Sequence, residues 1–434
     1  MTRNSVLLRL ALIVAVFIIL LIPLTMIQSL IDERQNYRNQ AVTEVSHSWA
    51  DSQLIGGPVI SVTTEEWVKN KENESELIPR RFTFLPEHLN IESEVVPEVR
   101  RRGIYEVSLY TTTLTISGTF DNQKLFSTLK SSSKGAIGKS RVMFNVSDLR
   151  GITGEVQLIW NSKKVDVNPG LSDQSVFKSG FVSNINLEEQ QENYSFTLKI
   201  KLKGSQSLEF LPLGKYTSVK MKSSWNNPGF MGSFLPSTHK IDNNGFEAAW
   251  NINHFNRDYP QEWINKYYNV MESSFGLRLL MPVDEYQKTT RTSKYGIMIV
   301  LLTFISFFMI ELYGKVVLHP IQYLLAGLAI VIFYSLLLSF SEYLTFNFSY
   351  SITSILVIGL VGFYVKSIYG KTKFGIIIGL LLTFFYGFMF VILQLQDYSL
   401  LLGNIALFVI LAVIMYMTRK IDWYEIFNDN KKPN

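Results

Sequence analysis

The side chains best suited to catalysis or metal binding are sparse in this sequence. It has no cysteine, which excludes disulfides, thiolate nucleophiles and cysteine-ligated metal sites. Its histidines stand singly, and none forms the zinc-binding pattern H-E-x-x-H. They are His47, His88, His239, His254 and His319. We therefore predict no metal site and no cofactor.

Motifs for nucleophilic or phosphate chemistry are also missing. The sequence has no G-x-S-x-G nucleophile elbow, and no Walker-type or G-x-G-x-x-G phosphate loop. The net charge is +5 and the pI about 9.0, but the C-terminal basic residues lie between hydrophobic runs, where the positive-inside rule places them. We predict a non-enzymatic protein with no catalytic residues and no nucleic-acid partner.

Ionisable groups within a membrane are functional candidates, because burying a charge in hydrocarbon is costly. Here the carboxylates Glu311, Glu342 and Asp397 all fall at the ends of apolar runs, which favours interfacial placement. A proton-driven transporter is therefore disfavoured, while passive transport or lipid handling stays open as an alternative function.

One group of large apolar residues lies among turn residues, and we call it the 225–234 cluster. Its members are Trp225, Phe230, Met231 and Phe234. It has two interpretations. The cluster is either the core of a loop, or a contact surface for an envelope protein or for the membrane helices.

The first predicted structural element is an apolar run between Arg9 and Asp32. At about 1.5 Å per residue it is long enough to cross a bilayer of roughly 30 Å. A cleaved signal peptide is the alternative, but the run exceeds the usual apolar length and no A-x-A-like site closes it. Pro23 lies inside the run and can kink it. The polar stretch Asp32–Trp49 predicts a helix.

The segment 32–292 alternates apolar and polar residues, most clearly over Tyr194–Lys203, and this period of two predicts half-buried strands. Further strands are predicted at Ile104–Ile116, Glu155–Trp160, Leu208–Leu211 and Tyr216–Trp225. Turn signals occur at Asn168–Gly170, Asn226–Gly229 and Asn243–Gly245. A sandwich-like β domain is the expected fold.

Five apolar runs follow and, with the first, predict six transmembrane spans. They are Tyr295–Ile310, Ile321–Phe340, Tyr343–Val365, Phe374–Gln396 and Tyr398–Thr418. Alternate short loops and the C-terminal tail carry the basic residues: Lys315, then Lys366, Lys371 and Lys373, then Arg419, Lys420, Lys431 and Lys432. The positive-inside rule then places both termini in the cytoplasm. One group of basic residues on the outer side departs from the positive-inside rule, directly before the second span: Lys288, Arg291 and Lys294.

The predicted architecture is an α-helical transmembrane bundle of six spans with an inserted β-rich extracytoplasmic domain. Residues 1–31 form a cytoplasmic start and an anchor, 32–292 the periplasmic domain, 293–418 a five-span bundle and 419–434 a cytoplasmic tail. The lipid bilayer is one partner and an envelope protein is a second. The oligomeric state stays open.

Short segments along nearly the whole chain resemble the CreD family of inner-membrane proteins. They are Ile31–Arg34, Tyr37–Arg38, Gly57–Ile60, Arg101–Tyr105, Leu149–Ile152, Ser224–Pro236, Gly245–Phe246, Thr292–Gly296, His319–Leu325, Leu336–Glu342, Leu400–Gly403 and Thr418–Tyr424. The resemblance implies a Gram-negative inner-membrane location, a role in envelope integrity or stress response, and association with a two-component system. It implies no catalytic residues.

Topology is the first testable prediction. Reporter fusions at Lys371 and after Asn434 should read cytoplasmic, and fusions near Asn168 and Asp397 should read periplasmic, because of the asymmetry of lysine and arginine. A periplasmic C-terminus would contradict the six-span arrangement.

Overall fold

The computed structural model describes residues 6–69, 75–132, 137–171, 173–281, 285–314, 318–395 and 399–419. The chain divides into a helical unit of residues 1–38 and 283–434, and a β unit of residues 39–282. The predicted domain limits, 32 and 292, lie outside those of the β unit, because the first helix continues past Asp32 and a short helix after residue 284 packs within the helical unit.

The helices are α1 (Val6–Trp49), α2 (Asn122–Ser132), α3 (Glu285–Lys294), α4 (Gly296–Gly314), α5 (Pro320–Ser341), α6 (Phe346–Tyr369), α7 (Thr372–Gln394) and α8 (Ser399–Thr418). The strands are β1 (Gln53–Lys69), β2 (Ser75–Phe84), β3 (His88–Arg102), β4 (Tyr105–Asp121), β5 (Ile137–Val146), β6 (Gln157–Trp160), β7 (Lys163–Val165), β8 (Asn168–Pro169), β9 (Gly180–Asn184), β10 (Asn193–Ser205), β11 (Ser207–Phe210), β12 (Tyr216–Ser223), β13 (Pro228–Gly232), β14 (Thr238–Asp242), β15 (Gly245–Asn253), β16 (Glu262–Ile264) and β17 (Phe275–Leu279).

The β unit consists of two sheets around one hydrophobic core. The first runs β13-β17-β11-β1-β5-β9-β8, with β2 paired to β1 and β16 paired to β2. The second runs β14-β15-β12-β3-β4-β10-β6-β7. Both contribute to the same buried cluster, which contains Trp250, Tyr110 and Phe210 as fully buried large side chains. This is the packing expected of a sandwich.

The alternating segment Tyr194–Lys203 is confirmed as part of β10, in which Tyr194, Phe196 and Leu198 are buried while the residues between them face outward. The other predicted strands correspond to β4, β6, β11 and β12. The turn at Asn243–Gly245 joins β14 to β15.

The predicted turn at Asn226–Gly229 is wrong in part, because β13 begins at Pro228, which pairs with Leu279. Proline lacks a backbone donor, but it is tolerated as the first residue of an edge strand. β13 is the end of its sheet.

The first helix continues without interruption from Val6 to Trp49 and includes Pro23. The helix predicted for Asp32–Trp49 is therefore confirmed, as the second half of α1. Within the described residues, four helices are long and apolar enough to cross a membrane: α1, α5, α6 and α7. A fifth span results if α3 and α4, which are bent by 40° at their junction, are counted as one. In α8 the apolar stretch Leu401–Tyr416 is shorter, so the sixth span stays a prediction.

Close packing brings α1 into the helical unit. Leu20 and Leu24 are buried, with 0% and 2% of their surface exposed. A Cβ atom at Gly327 of α5 would lie 2.2 Å from Cδ1 of Leu20, so no larger residue fits there without a shift. Small residues allow this kind of approach between membrane helices.

The isolated β unit, residues 39–282, should fold alone, because it contains its own core. We expect a β-type circular dichroism spectrum and a cooperative thermal transition. Trp250→Ala should lower the free energy of unfolding by about 3–5 kcal/mol, whereas Phe255→Ala, at a residue 85% exposed, should change it by less than about 0.5 kcal/mol. A largely helical spectrum would contradict the prediction.

Candidate functional site

The 225–234 cluster lies in the β unit around β13. Phe230 and Met231 are in β13, Trp225 precedes the strand and Phe234 follows it. All four side chains are half-buried. Trp225, Phe230 and Phe234 pack against the core of the β unit.

Specific contacts hold three members of the 225–234 cluster. The ring of Phe230 meets that of Trp250 edge-on at 5.7 Å, and Phe234 meets Phe275 in the same way at 5.9 Å. Trp225 donates from Nε1 to the carbonyl oxygen of Asn227 at 3.0 Å. These rings therefore extend the core to the surface. That their exposed faces contact a partner stays a prediction, and Met231 is the member with the fewest such contacts.

A cleft of about 600 Å³ opens on the outward face of the second sheet, and we call it the charged cleft. Its lining contains three lysines and three glutamates: Lys220, Lys222, Lys240, Glu92, Glu94 and Glu247. His239 also lines the cleft, and its ring lies 5.6 Å from that of Phe230. The charged cleft and the 225–234 cluster are therefore neighbours.

Strand register arranges the charges of the cleft in alternating order. Lys240 on β14 pairs with Glu247 on β15, which pairs with Lys222 on β12, which pairs with Glu94 on β3. The Nζ atom of Lys222 lies 3.3 Å from Oε1 of Glu94. In β3, β12 and β14 the charges recur at every second position of the sequence, and β15 adds Glu247. The strand order that brings these charges together cannot be read from the sequence, so the sequence did not predict this cleft.

A second polar cluster in the β unit surrounds Arg150, in a short 3-10 turn at Leu149–Gly151. Arg150 donates from Nη1 to the carbonyl oxygen of His47, near the end of α1, at 2.9 Å, and from Nη2 to Asp51 and Asp148 at 2.9 and 2.8 Å. Asp148 also accepts from the backbone N–H of Asp51 at 2.9 Å. The side-chain hydrogen bonds from Arg150 hold the pKa of Asp148 below its usual value. This cluster fixes the end of α1 to the β unit.

Two ion pairs connect α1 to other helices of the helical unit. The Nη1 atom of Arg9 lies 3.5 Å from Oε1 of Glu311, at the end of α4. The Nε atom of Arg34 lies 3.5 Å from Oε1 of Glu342, directly after α5. Tyr323 donates to the second oxygen of Glu311 at 3.0 Å. Glu311 and Glu342 thus lie at helix ends, as predicted, while Asp397 lies outside the described residues. Each of the two described carboxylates is thus held by an arginine of α1.

An apolar cavity of about 800 Å³ lies among α4, α7 and α8. Aliphatic and aromatic side chains such as Leu302, Phe384 and Val409 line it, and Ser306 is a polar member of the lining. Such a surface can hold hydrocarbon but offers few groups for a charged solute. Within the described part of the chain, no three His, Cys, Asp or Glu side chains are grouped as metal ligands would be.

Comparison with known proteins gives two results. The family described as "Inner membrane protein CreD" matches residues 5–424. The chain is also similar to the inner membrane protein CreD of Escherichia coli (strain K12), with 31% identity over 416 residues, which cover 94% of this chain and 91% of that protein.

The Arg150 cluster predicts a pH-dependent stability for the isolated β unit. Because the folded-state pKa of Asp148 is lowered, its carboxylate stabilises the fold above the unfolded-state pKa, and this contribution is lost as the pH falls through the folded-state pKa. Asp148→Asn should therefore lower the free energy of unfolding at pH 7, on the order of 2 kcal/mol. The difference from the unchanged protein should shrink below about pH 4.

Denaturant titrations at several pH values measure this difference, with Asp258→Asn, at an exposed residue, as the control. If Asp148→Asn lowers the free energy of unfolding by the same amount at every pH, the ionised carboxylate of Asp148 is not the source of the stabilisation.

Proposed function

The chain belongs to the CreD family of inner-membrane proteins, and on that premise we propose that it is a non-enzymatic component of envelope integrity and stress response that acts by binding. The binding part is the β unit, on the periplasmic side. Its partner is an extended segment of an envelope protein.

The proposed topology has six spans and both termini in the cytoplasm. The distribution of lysine and arginine supports it, and the position of the two ion pairs on α1 supports a crossing by that helix. Arg9 and Arg34 are 25 residues apart, or about 38 Å along a helix. That separation lies between the roughly 30 Å of a bilayer core and the roughly 40–45 Å of its full thickness, which fits one pair in each headgroup region. The 20 residues of α8 span about 30 Å, enough for a sixth crossing.

The charged cleft is the observation that carries the binding proposal. Its three lysines and three glutamates balance, which disfavours a polyanion and favours a polypeptide with charges of both signs. All five residues of β14 are exposed, and β14 is the outermost strand of its sheet. An extended segment can add to such an edge through main-chain hydrogen bonds while its side chains meet the cleft.

Lipid handling by the helical unit is the second candidate. The apolar cavity among α4, α7 and α8 favours it, because hydrocarbon is the ligand that such a lining accepts. In this alternative, the β unit would not determine activity.

A complementation assay in a strain that lacks the protein separates the two candidates. Lys220→Glu with Lys222→Glu should abolish rescue of the envelope-stress phenotype, because it makes the cleft acidic. The fold should tolerate the change, since exposed ion pairs contribute only about 0–1 kcal/mol. The matched control is Lys163→Glu with Lys164→Glu, at exposed residues of β7 at the opposite edge of the same sheet, which should rescue fully. Membrane levels are checked by blot.

Two further variants complete the assay. Met231→Lys tests the 225–234 cluster as a contact surface, and impaired rescue at normal abundance is the expected result. Glu311→Gln should rescue, because the ion pair with Arg9 lies at a helix end. Loss of rescue by Glu311→Gln at normal abundance, with rescue by the cleft variant, would overturn the binding proposal in favour of transport or lipid handling.

A further inference from the structure

The short helix α3 lies at one end of the helical unit, where α5 ends and α6 begins. It packs against α5, α6 and α7. The Nζ atom of Lys288 lies 5.4 Å from the ring centroid of Phe346, the first residue of α6. A 40° bend separates α3 from the apolar helix α4. These contacts place α3 at the level where the helices leave the hydrocarbon.

The two faces of α3 differ in chemistry. One face is buried and carries hydroxyl groups: Thr289, Thr292 and Ser293 are 1%, 0% and 2% exposed. Thr292 and Ser293 donate to carbonyl oxygens of their own helix, at 2.7 and 2.9 Å. The buried face is therefore a fixed packing surface, and it determines which way the other face points.

The opposite face is basic. Lys288, Arg291 and Lys294 recur at every third position, which places them within one third of the helix circumference. Arg291 and Lys294 are exposed, and Lys288 is half-buried. Among the described residues, none of the three cations forms an ion pair. Three positive charges thus stand together on one face of α3, and no carboxylate among the described side chains is paired with them.

We propose that this basic face of α3 binds the phosphate groups of anionic lipids in the adjacent leaflet. Charge complementarity identifies the ligand, because phosphate is the anion present at that level of every bilayer, and clustered basic residues beside a transmembrane helix bind anionic lipid surfaces. The site also explains why three cations occur on the side of the membrane that the positive-inside rule leaves poor in lysine and arginine. It does not depend on the function proposed for the β unit.

Photocrosslinking of the full-length chain in vesicles tests this. The vesicles contain phosphatidylglycerol and phosphatidylcholine in equal amounts, with a trace of phosphatidylglycerol that carries a photoreactive headgroup, and crosslinks to α3 are mapped by mass spectrometry. We expect labelling of α3 that unlabelled phosphatidylglycerol reduces, and that neither added phosphatidylcholine nor free inorganic phosphate reduces.

Three variants make the test specific. In the triple variant Lys288→Gln, Arg291→Gln, Lys294→Gln, labelling should fall more than about tenfold, since each basic residue near an anionic surface contributes roughly a fivefold effect. The charge-preserving variant Lys288→Arg, Arg291→Lys, Lys294→Arg should keep it. The matched control Lys366→Gln, Lys371→Gln, Lys373→Gln, at the opposite helix ends, should leave labelling of α3 unchanged.

Several results would overturn the proposal. Unchanged labelling in the glutamine variant would show that the cations do not bind the headgroup. Equal competition by phosphatidylcholine would show that lipid charge is not recognised, and competition by inorganic phosphate would indicate a site for a free anion instead.

Discussion

The helical unit depends on the packing of Leu20 against Gly327, in the space that a larger side chain at position 327 would fill. Leu20 belongs to α1, which begins the chain, while Gly327 belongs to α5, and the whole β unit lies between them in the sequence. In hydrocarbon, the hydrophobic effect does not drive helices together, so shape and specific polar contacts must do it. The absence of a side chain at Gly327 provides a surface that fits Leu20. The pairs Arg9–Glu311 and Arg34–Glu342 provide a polar contact near each end of the span.

The sequence predicts local features of this protein well and long-range ones poorly. Alternation over Tyr194–Lys203 is a local signal, and it correctly identifies β10 and its buried face. The parallel pairing of β12 with β3 brings together four of the six charged residues of the charged cleft. It has no local signal, because strand order depends on the packing of the whole sheet. The same limit applies to Glu311. The sequence predicts that it lies at a helix end, but not that Arg9 is its partner, because the two residues are 302 positions apart.

Several segments that carry the family resemblance lie at structural joints. Leu149–Ile152 contains Arg150, which fixes the end of α1, and Gly151, where a Cβ atom would lie 2.4 Å from both Nε2 of Gln53 and the carbonyl oxygen of Lys203. His319–Leu325 contains the capping box of α5 and Tyr323, which donates to Glu311. In these two segments, residues that carry the resemblance hold neighbouring elements of the fold together.

The insertion of the β unit between α1 and the other helices also sets the timing of biosynthesis. Leu20 and Gly327 are 307 residues apart in the chain, and at roughly 5–20 residues per second the ribosome needs about 15–60 s to pass from one to the other. During that interval α1 must stay in the bilayer without its helical neighbours. Its side chains there are almost all hydrocarbon, with arginines toward both ends, so lipid alone can solvate the nascent span until its neighbours are made.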